Sequence, residues 1–192
     1  MGAAVAAEVV TVADFFPAEA AIVAVGAARV GIGSDRASKR KLLISMKARD
    51  FIAALDHEKI VAAISTAEAK TSGELRVFVT RKEVTDALAA AREHFVELKM
   101  EKTVERNAVL ILFAPRVRKF AVFGDTGVHE KCGDNFWHGV SATMKEQLRS
   151  GNYTGAIISA VETVGAELAA HFPPQAGAAD SRNELPNQVV ED

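Results

Sequence analysis

Three carboxylates stand beside turns of the chain and are suited to holding a hard metal ion. Glu74 and Glu105 lie just before apolar runs, and Asp125 follows one, inside the sequence Gly-Asp-Thr-Gly. The candidate ligands for Ca²⁺ or Mg²⁺ are Glu74, Glu105, Asn107, Asp125 and Thr126. Such ions prefer carboxylate, amide, hydroxyl and carbonyl oxygens. The alternative is structural, with a solvated Glu74, a Glu105 paired to a neighbouring cation and an Asp125 that caps a turn.

A second set of candidate residues is basic. The residues that could bind phosphate or an acidic protein partner are Arg81, Lys82, Arg116 and Arg118, together with Arg106, which lies among the acidic residues. Cations around the turns of a sheet also commonly form a solvated rim that keeps the sheet end soluble. Both interpretations stay open at the level of sequence.

Other chemistries receive little support from the sequence. His129, Cys132 and His138 allow a zinc site to be considered, but their spacing lacks the paired ligands of a structural zinc motif. The sequence contains nothing that resembles a nucleophile elbow, a P-loop or a dinucleotide-binding fingerprint in a suitable context. Nucleophilic catalysis is therefore not indicated.

Three apolar runs predict the strands that must position these residues. Residues 74–80 alternate in character, residues 108–114 form an unbroken apolar run, and residues 120–123 follow after a short turn. Residues 84–100 carry apolar side chains at helical spacing. This order predicts two parallel strands joined by a helical crossover, and then an antiparallel hairpin. The carboxylates should then lie at one end of the sheet and the turn cations at the other.

The rest of the chain divides into helices and flanking segments. Asp134 is expected to cap a helix that buries Phe136 or Trp137, and a last helix should follow it. Residues 1–45 are rich in Ala, Val and Gly, and we predict a disordered leader, or a translation start at Met46. The predicted domain is residues 46–172, and residues 173–192 are expected to be a mobile polar tail.

Composition restricts the function classes. The chain has 192 residues, of which 49% are hydrophobic and 25% charged, as in a globular domain with additions. Its formal net charge of −2 gives no general attraction to nucleic acid, and a single cysteine excludes an internal disulfide. The N-terminal apolar stretch is short and is followed by its basic cluster, so neither a secretory signal nor a membrane span is expected. We expect a cytoplasmic protein.

Several motifs occur in a characteristic order. They are GELRV at 73–77, ERNAVLI at 105–111, FAVFGDTG at 120–127, GNY at 151–153 and RNELP at 182–186. This set resembles the TPM domain family, which includes thylakoid-lumen proteins of photosystem repair and small soluble bacterial proteins. The resemblance implies a three-layer α/β/α sandwich, loosely Rossmann-like, with a mixed and mostly parallel sheet. It also implies binding of calcium or another divalent ion, and the acid phosphatase activity proposed for plant members.

The sequence departs from the family pattern in two ways. Ala108 stands where members usually have Gly, and the usual signal peptide and membrane helix are not recognised. The second departure argues against an envelope or photosynthetic role.

Three functions follow as hypotheses. The first is a TPM module that binds a divalent ion and acts through a protein partner. The second is a metal-dependent phosphomonoesterase in which Arg106 contacts the phosphate. The third is an adaptor that uses the basic end of the sheet to bind an acidic protein.

Overall fold

The computed structural model describes residues 47–174 and 188–192. The predicted leader, residues 1–45, lies outside the described residues. The helices are α1 (Ala48–Ala53), α2 (His57–Glu68), α3 (Ala87–Glu97), α4 (Thr126–Arg149) and α5 (Tyr153–His171). The strands are β1 (Leu75–Val79), β2 (Val109–Ala114), β3 (Lys119–Gly124) and β4 (Val189–Glu191), and the 3₁₀ turns are Met100–Lys102 and Pro115–Val117. None of the helices in the two described ranges is both long and apolar enough to cross a membrane.

The four strands form one sheet in the order β3-β2-β1-β4. β1 and β2 are parallel, with α3 in the crossover between them, and β2 and β3 form an antiparallel hairpin. Both pairings confirm the predicted topology. The register aligns Leu75 with Val109 and Val109 with Gly124, whereas Val79 aligns with Phe113. The starts of β1 and β2 and the end of β3 therefore share one end of the sheet.

Both faces of the sheet are covered. On one face Val77, Ile111 and Val122 pack in a core with α1, α2, α4 and α5. On the other face Phe78 and Leu112 pack against α3. All six residues of β2 are buried, as expected for an unbroken apolar run in a central strand with both faces covered. The fold is the three-layer α/β/α sandwich, with a mixed and mostly parallel sheet, that was expected.

The start of α4 differs from the prediction. The sequence predicts a helix capped by Asp134, whereas α4 begins at Thr126 and Asp125 caps it. Gly133 interrupts the helix with φ 68° and ψ 176°, a conformation that costs glycine little because it has no Cβ. Beyond this break the helix buries Trp137, as expected. The segment before the break is too short to show a helical period, so the sequence did not reveal it.

The last described residues form a strand. β4 pairs parallel with β1, and its register aligns Val79 with Glu191. Val189 packs against the core on one face of the sheet and Val190 against the core on the other. The prediction of a mobile tail therefore does not hold for residues 188–192. Residues 175–187 of the predicted tail lie outside the described residues. Three paired residues are too few to give a periodic signal in the sequence.

Acidic side chains anchor β4 at the basic end of the sheet. The carboxylate of Asp192 accepts hydrogen bonds from the Arg81 backbone N–H at 2.7 Å and from Lys82 Nζ at 2.8 Å. The Thr80 hydroxyl lies 3.2 Å from both oxygens, and the Arg81 guanidinium pairs with Glu191. Burial raises the pKa of Asp192, but the hydrogen bonds from Lys82, the Arg81 N–H and Thr80 outweigh it, so this pKa lies below its ordinary value.

Gly124→Ala should destabilise the fold. An added Cβ would lie 2.5 Å from Cζ2 of the buried Trp137, and overpacking of this kind costs about 1–3 kcal/mol. The control is Gly139→Ala on the exposed side of α4, where a Cβ would meet nothing within 4 Å. This substitution should stabilise the helix by about 0.5–1 kcal/mol. Urea unfolding measures both free energies, and a Gly124→Ala variant as stable as the wild type would contradict the packing described.

Asp192→Asn should loosen β4 from β1, because it removes the charge from the hydrogen bonds to Lys82 and Arg81. A loss of about tenfold in the docking equilibrium is expected, measured by hydrogen exchange of the β4 amides. A carboxylate with a lowered folded-state pKa contributes stability above its unfolded pKa and loses it as the pH falls through the folded value. Wild-type β4 should therefore detach as the pH falls below about 4.

The same pH titration, followed by NMR, provides the control. Asp192→Asn should lack the acid step in the β4 amide shifts, whereas Asp134→Asn, whose side chain is largely exposed on α4, should retain it. A step of equal size in Asp192→Asn and the wild type would show that Asp192 does not hold β4.

Candidate functional site

Asp125 occupies the junction between β3 and α4. Its Oδ1 accepts a hydrogen bond from the Thr126 backbone N–H at 2.7 Å, and the Thr126 hydroxyl lies 3.4 Å from the same oxygen. The backbone N–H of Asp125 donates to the Ala108 carbonyl at 2.9 Å. A carboxylate at a helix N-terminus is also stabilised by the helix dipole. Asp125 is buried, with 3% of its surface exposed, and is held firmly at the sheet end where it was predicted.

Arg106 binds Asp125 through two hydrogen bonds. Its Nε donates to Oδ2 at 2.7 Å and its Nη2 to Oδ1 at 2.8 Å, the two-bonded geometry that makes such pairs strong. The hydrogen bond with Asp125 raises the pKa of Arg106 despite the opposing effect of burial. Half of the Arg106 side chain is still exposed. The residue expected to contact phosphate is therefore bound to a carboxylate of its own chain, and both oxygens of Asp125 are engaged.

Glu105 belongs to a polar cluster with Ser72 and Asn107. Ser72 Oγ donates to Glu105 Oε2 at 2.5 Å, and Asn107 Nδ2 lies 3.2 Å from Ser72 Oγ and 3.4 Å from Glu105 Oε2. Asn107 is buried, and its backbone N–H donates to the Thr103 hydroxyl at 3.2 Å. Glu105 and Asn107 were predicted from the sequence, whereas Ser72 was not. Its signal was a hydroxyl directly before Gly73.

Two glycines let the loop of residues 105–107 approach its neighbours. A Cβ at Gly127 would collide with the Glu105 carbonyl oxygen and would lie 2.8 Å from the next one. A Cβ at Gly73 would lie 3.0 Å from the Asn107 carbonyl oxygen. The carbonyls of residues 105 and 106 therefore lie against the start of α4, and the carbonyl of residue 107 lies against the backbone just before β1.

Glu101 also faces this end of the sheet and was not predicted. It lies in the 3₁₀ turn after α3, and its Oε2 is buried without a hydrogen-bond partner among the residues that the structure describes. Its charge contributes to the raised pKa of Arg106, after the larger effect of Asp125. In the sequence Glu101 stands beside Lys102 at a helix end, which is typical of a solvated surface.

Glu74 has a different environment. It is buried near Arg76. The pKa of Arg76 lies below its ordinary value, because burial lowers it by more than the charges of Glu74 and Glu68 raise it. Within residues 47–174 and 188–192, Glu74, Glu105 and Asp125 do not form a set whose ligand atoms all lie within 4.8 Å of one another. The structure brings the predicted ligands to one end of the sheet without gathering their carboxylates into a tight cluster.

Four of the five predicted basic residues, all except Arg106, share the opposite end of the sheet, and three of them have acidic partners there. Arg81 and Lys82 pair with the acidic residues of β4 and its flank, as described above. Arg116 lies 3.5 Å from Glu83 in an exposed pair, a type that contributes little stability. Arg118 ends the second 3₁₀ turn in the left-handed region, with φ 56°. The positive charge available to an outside partner is therefore smaller than the sequence indicated.

The residues considered for zinc are not brought together as a set. Cys132 is grouped with Glu167 and His171, and neither His129 nor His138 belongs to this group.

Comparisons with known proteins show the family of the chain. The model of the TPM domain matches residues 45–167, more than half of the chain. The NMR structure of the BA42 protein from the psychrophilic bacterium Bizionia argentinensis is similar, with a TM-score of 0.64 and 33% identity, covering 71% of this chain and 92% of that chain. Among curated proteins there is no match. The matched residues include β1 to β3 and the ion pair between Arg106 and Asp125, and the chain belongs to the TPM-domain family.

Proposed function

We propose that the chain is a binding module that holds a divalent cation at the acidic end of the sheet and acts through a protein partner. The acidic end is defined by Ser72, Glu101, Glu105, Arg106, Asn107 and Asp125. The observation that carries the proposal is the set of oxygen donors around the loop of residues 105–107. Carboxylate, hydroxyl and backbone carbonyl oxygens lie around this loop, and these are donors that hard cations take.

The local charge supports a divalent ion. Three carboxylates, those of Glu101, Glu105 and Asp125, are accompanied by one guanidinium, that of Arg106, which leaves a formal excess of two negative charges in this group. A buried oxygen without a hydrogen bond, such as Glu101 Oε2, costs about 1–3 kcal/mol. A bound cation would offset the excess negative charge and would give Glu101 Oε2 a partner.

Calcium fits the donors better than magnesium. Magnesium demands near-ideal octahedral geometry, whereas calcium accepts six to eight oxygens in flexible arrangements. The donors of the acidic end come from a loop, a 3₁₀ turn and a helix start, and their carboxylates are not preassembled into a tight set. Such a site favours the larger and more tolerant ion.

Cation binding would compete with Arg106 for Asp125. Both Asp125 oxygens now accept hydrogen bonds from Arg106, so a cation that recruits this carboxylate must weaken the ion pair. Arg106 is half exposed and can turn toward solvent when it is released. We propose that the surface formed by Arg106 and its loop is what a protein partner recognises.

A metal-dependent acid phosphatase is less well supported by the same residues. In that function the ion would polarise a phosphoryl oxygen and Arg106 would contact the phosphate. Arg106 is instead bound to Asp125, and the carboxylate available as a nucleophile has both oxygens engaged. An ion that recruits Asp125 would release Arg106, but a carboxylate that is a ligand of the ion is not free to attack the phosphorus atom, so these residues favour binding over hydrolysis. The cytoplasmic location expected from the sequence stays a prediction.

Calcium titration of the full chain, followed by backbone amide NMR, tests the proposed site. Saturable shifts should centre on residues 101–107 and 124–127. Asp125→Asn and Glu101→Gln should each weaken the apparent affinity by about tenfold or more, because calcium affinity depends on the charge of the ligand set.

The matched control is Glu146→Gln, an exposed carboxylate near the other end of α4, which should bind as the wild type does. Shifts scattered over surface acids, or equal affinity in all three variants and the wild type, would overturn the proposed ion site.

The phosphatase alternative requires a separate measurement. Purified chain supplied with calcium, magnesium or manganese should release no phosphate from a generic monoester between acidic and neutral pH, because Asp125 is not free to attack. Release that is lost in Asp125→Asn but retained in Glu146→Gln would favour the phosphatase instead.

A further inference from the structure

A second group of metal-ligating side chains, made of other residues than the acidic end of the sheet, lies where α4 and α5 pack together. The ligand atoms of Cys132, Glu167 and His171 all lie within 4.8 Å of one another. Among the residues that the structure describes, this is the one group of three or more His, Cys, Asp or Glu side chains that approach so closely. It uses none of the residues of the proposed ion site.

Backbone features fix the positions of the three residues. Cys132 directly precedes the break of α4 at Gly133 and packs against the main core. Glu167 and His171 are four residues apart on α5, so their side chains share one face of the helix. The end of α5 is held by the Phe172 carbonyl, which accepts hydrogen bonds from the Thr71 hydroxyl at 2.6 Å and from the Ser72 backbone N–H at 2.9 Å.

The spacing of the donors suits a small tetrahedral ion. His171 Nε2 lies 3.2 Å from Glu167 Oε1, and bonds of about 2.0–2.3 Å around zinc separate its ligand atoms by roughly 3.3–3.8 Å. The sulfur therefore needs to move by about an ångström at most, within the range of a side-chain rotation. His171 lies in the last turn of α5, where the helix dipole favours positive charge.

We propose that Cys132, Glu167 and His171 form a binding site for a borderline-soft divalent cation such as Zn²⁺, with a remaining coordination position open to water. A thiolate selects zinc over calcium and magnesium, which prefer oxygen ligands. One thiolate, one imidazole and one carboxylate are all common zinc ligands, and three protein ligands with one open position is a known zinc arrangement. The chain would then hold two chemically different cation sites.

The environment of the thiol sets a cost that the metal must overcome. Burial raises the pKa of Cys132 to about 12, and the negative charge of Glu167 adds to this. The thiol is thus protonated at neutral pH without a metal, and binding must displace its proton. Calcium forms too weak a bond with sulfur to do this, whereas zinc deprotonates thiols that coordinate it.

Cobalt(II) added alone to the reduced full chain provides the test. Cys132 is the sole cysteine of the sequence, so a thiolate-to-cobalt charge-transfer band in the near ultraviolet can arise only from this residue. We expect a band that saturates at one equivalent, that zinc abolishes by displacing cobalt, and that calcium leaves unchanged. Cys132→Ser should lack the band, and Glu167→Gln and His171→Gln should each weaken cobalt binding by about tenfold or more.

Controls separate the triad from a lone thiol. His138→Gln, which alters an exposed histidine of α4, should bind cobalt as the wild type does, and so should Asp125→Asn at the proposed calcium site. Circular dichroism should show that all variants are folded. If a variant is unfolded, the test is instead whether zinc protects Cys132 of the wild type from alkylation. Absence of the band, or unchanged affinity in both Glu167→Gln and His171→Gln, would overturn the proposal, as would absence of zinc protection.

Discussion

The acidic end of the sheet depends on the ion pair between Arg106 and Asp125. Asp125 directly follows β3 and caps α4, while Arg106 belongs to the loop that leads into β2. The two hydrogen bonds therefore join the start of α4 to the loop before β2. Without a cation they neutralise a carboxylate that is almost completely buried, and an uncompensated buried charge would be strongly unfavourable. The same pair leaves half of the Arg106 side chain exposed to solvent.

Close packing around this pair leaves little freedom for the backbone. Gly124 admits the ring of Trp137 beside the end of β3, and Gly127 admits the loop carbonyls beside the start of α4. Both glycines flank Asp125 in the sequence, so the Gly-Asp-Thr-Gly motif combines two close approaches with one capping carboxylate. Packing explains its two glycines and capping explains its aspartate, and the ion site that we propose makes use of a geometry that the fold already requires.

The sequence predicted the framework of the fold better than its side-chain partners. Long apolar runs such as the one in β2 identify a buried central strand, and the crossover and hairpin rules then bring Glu105 and Asp125 to one end of the sheet. The ion pair between Arg106 and Asp125 could not be predicted, because the backbone of Arg106 itself adopts the left-handed region, with φ 53°. Glu101 and Ser72 were missed because their local sequence resembles ordinary helix ends. β4 was missed because its pairing is short and distant in the chain.

The side-chain Nε–H signal of Arg106 gives the most direct test of cation binding at the acidic end. This proton is donated to Asp125 Oδ2 across 2.7 Å, so its nitrogen and proton shifts report whether the ion pair is intact. As calcium is added, we expect the signal to shift saturably and to exchange faster with water, because the ion recruits Asp125 and releases the guanidinium. A signal that stays unchanged at saturating calcium would contradict the proposed competition between the cation and Arg106, and with it the function proposed for this site.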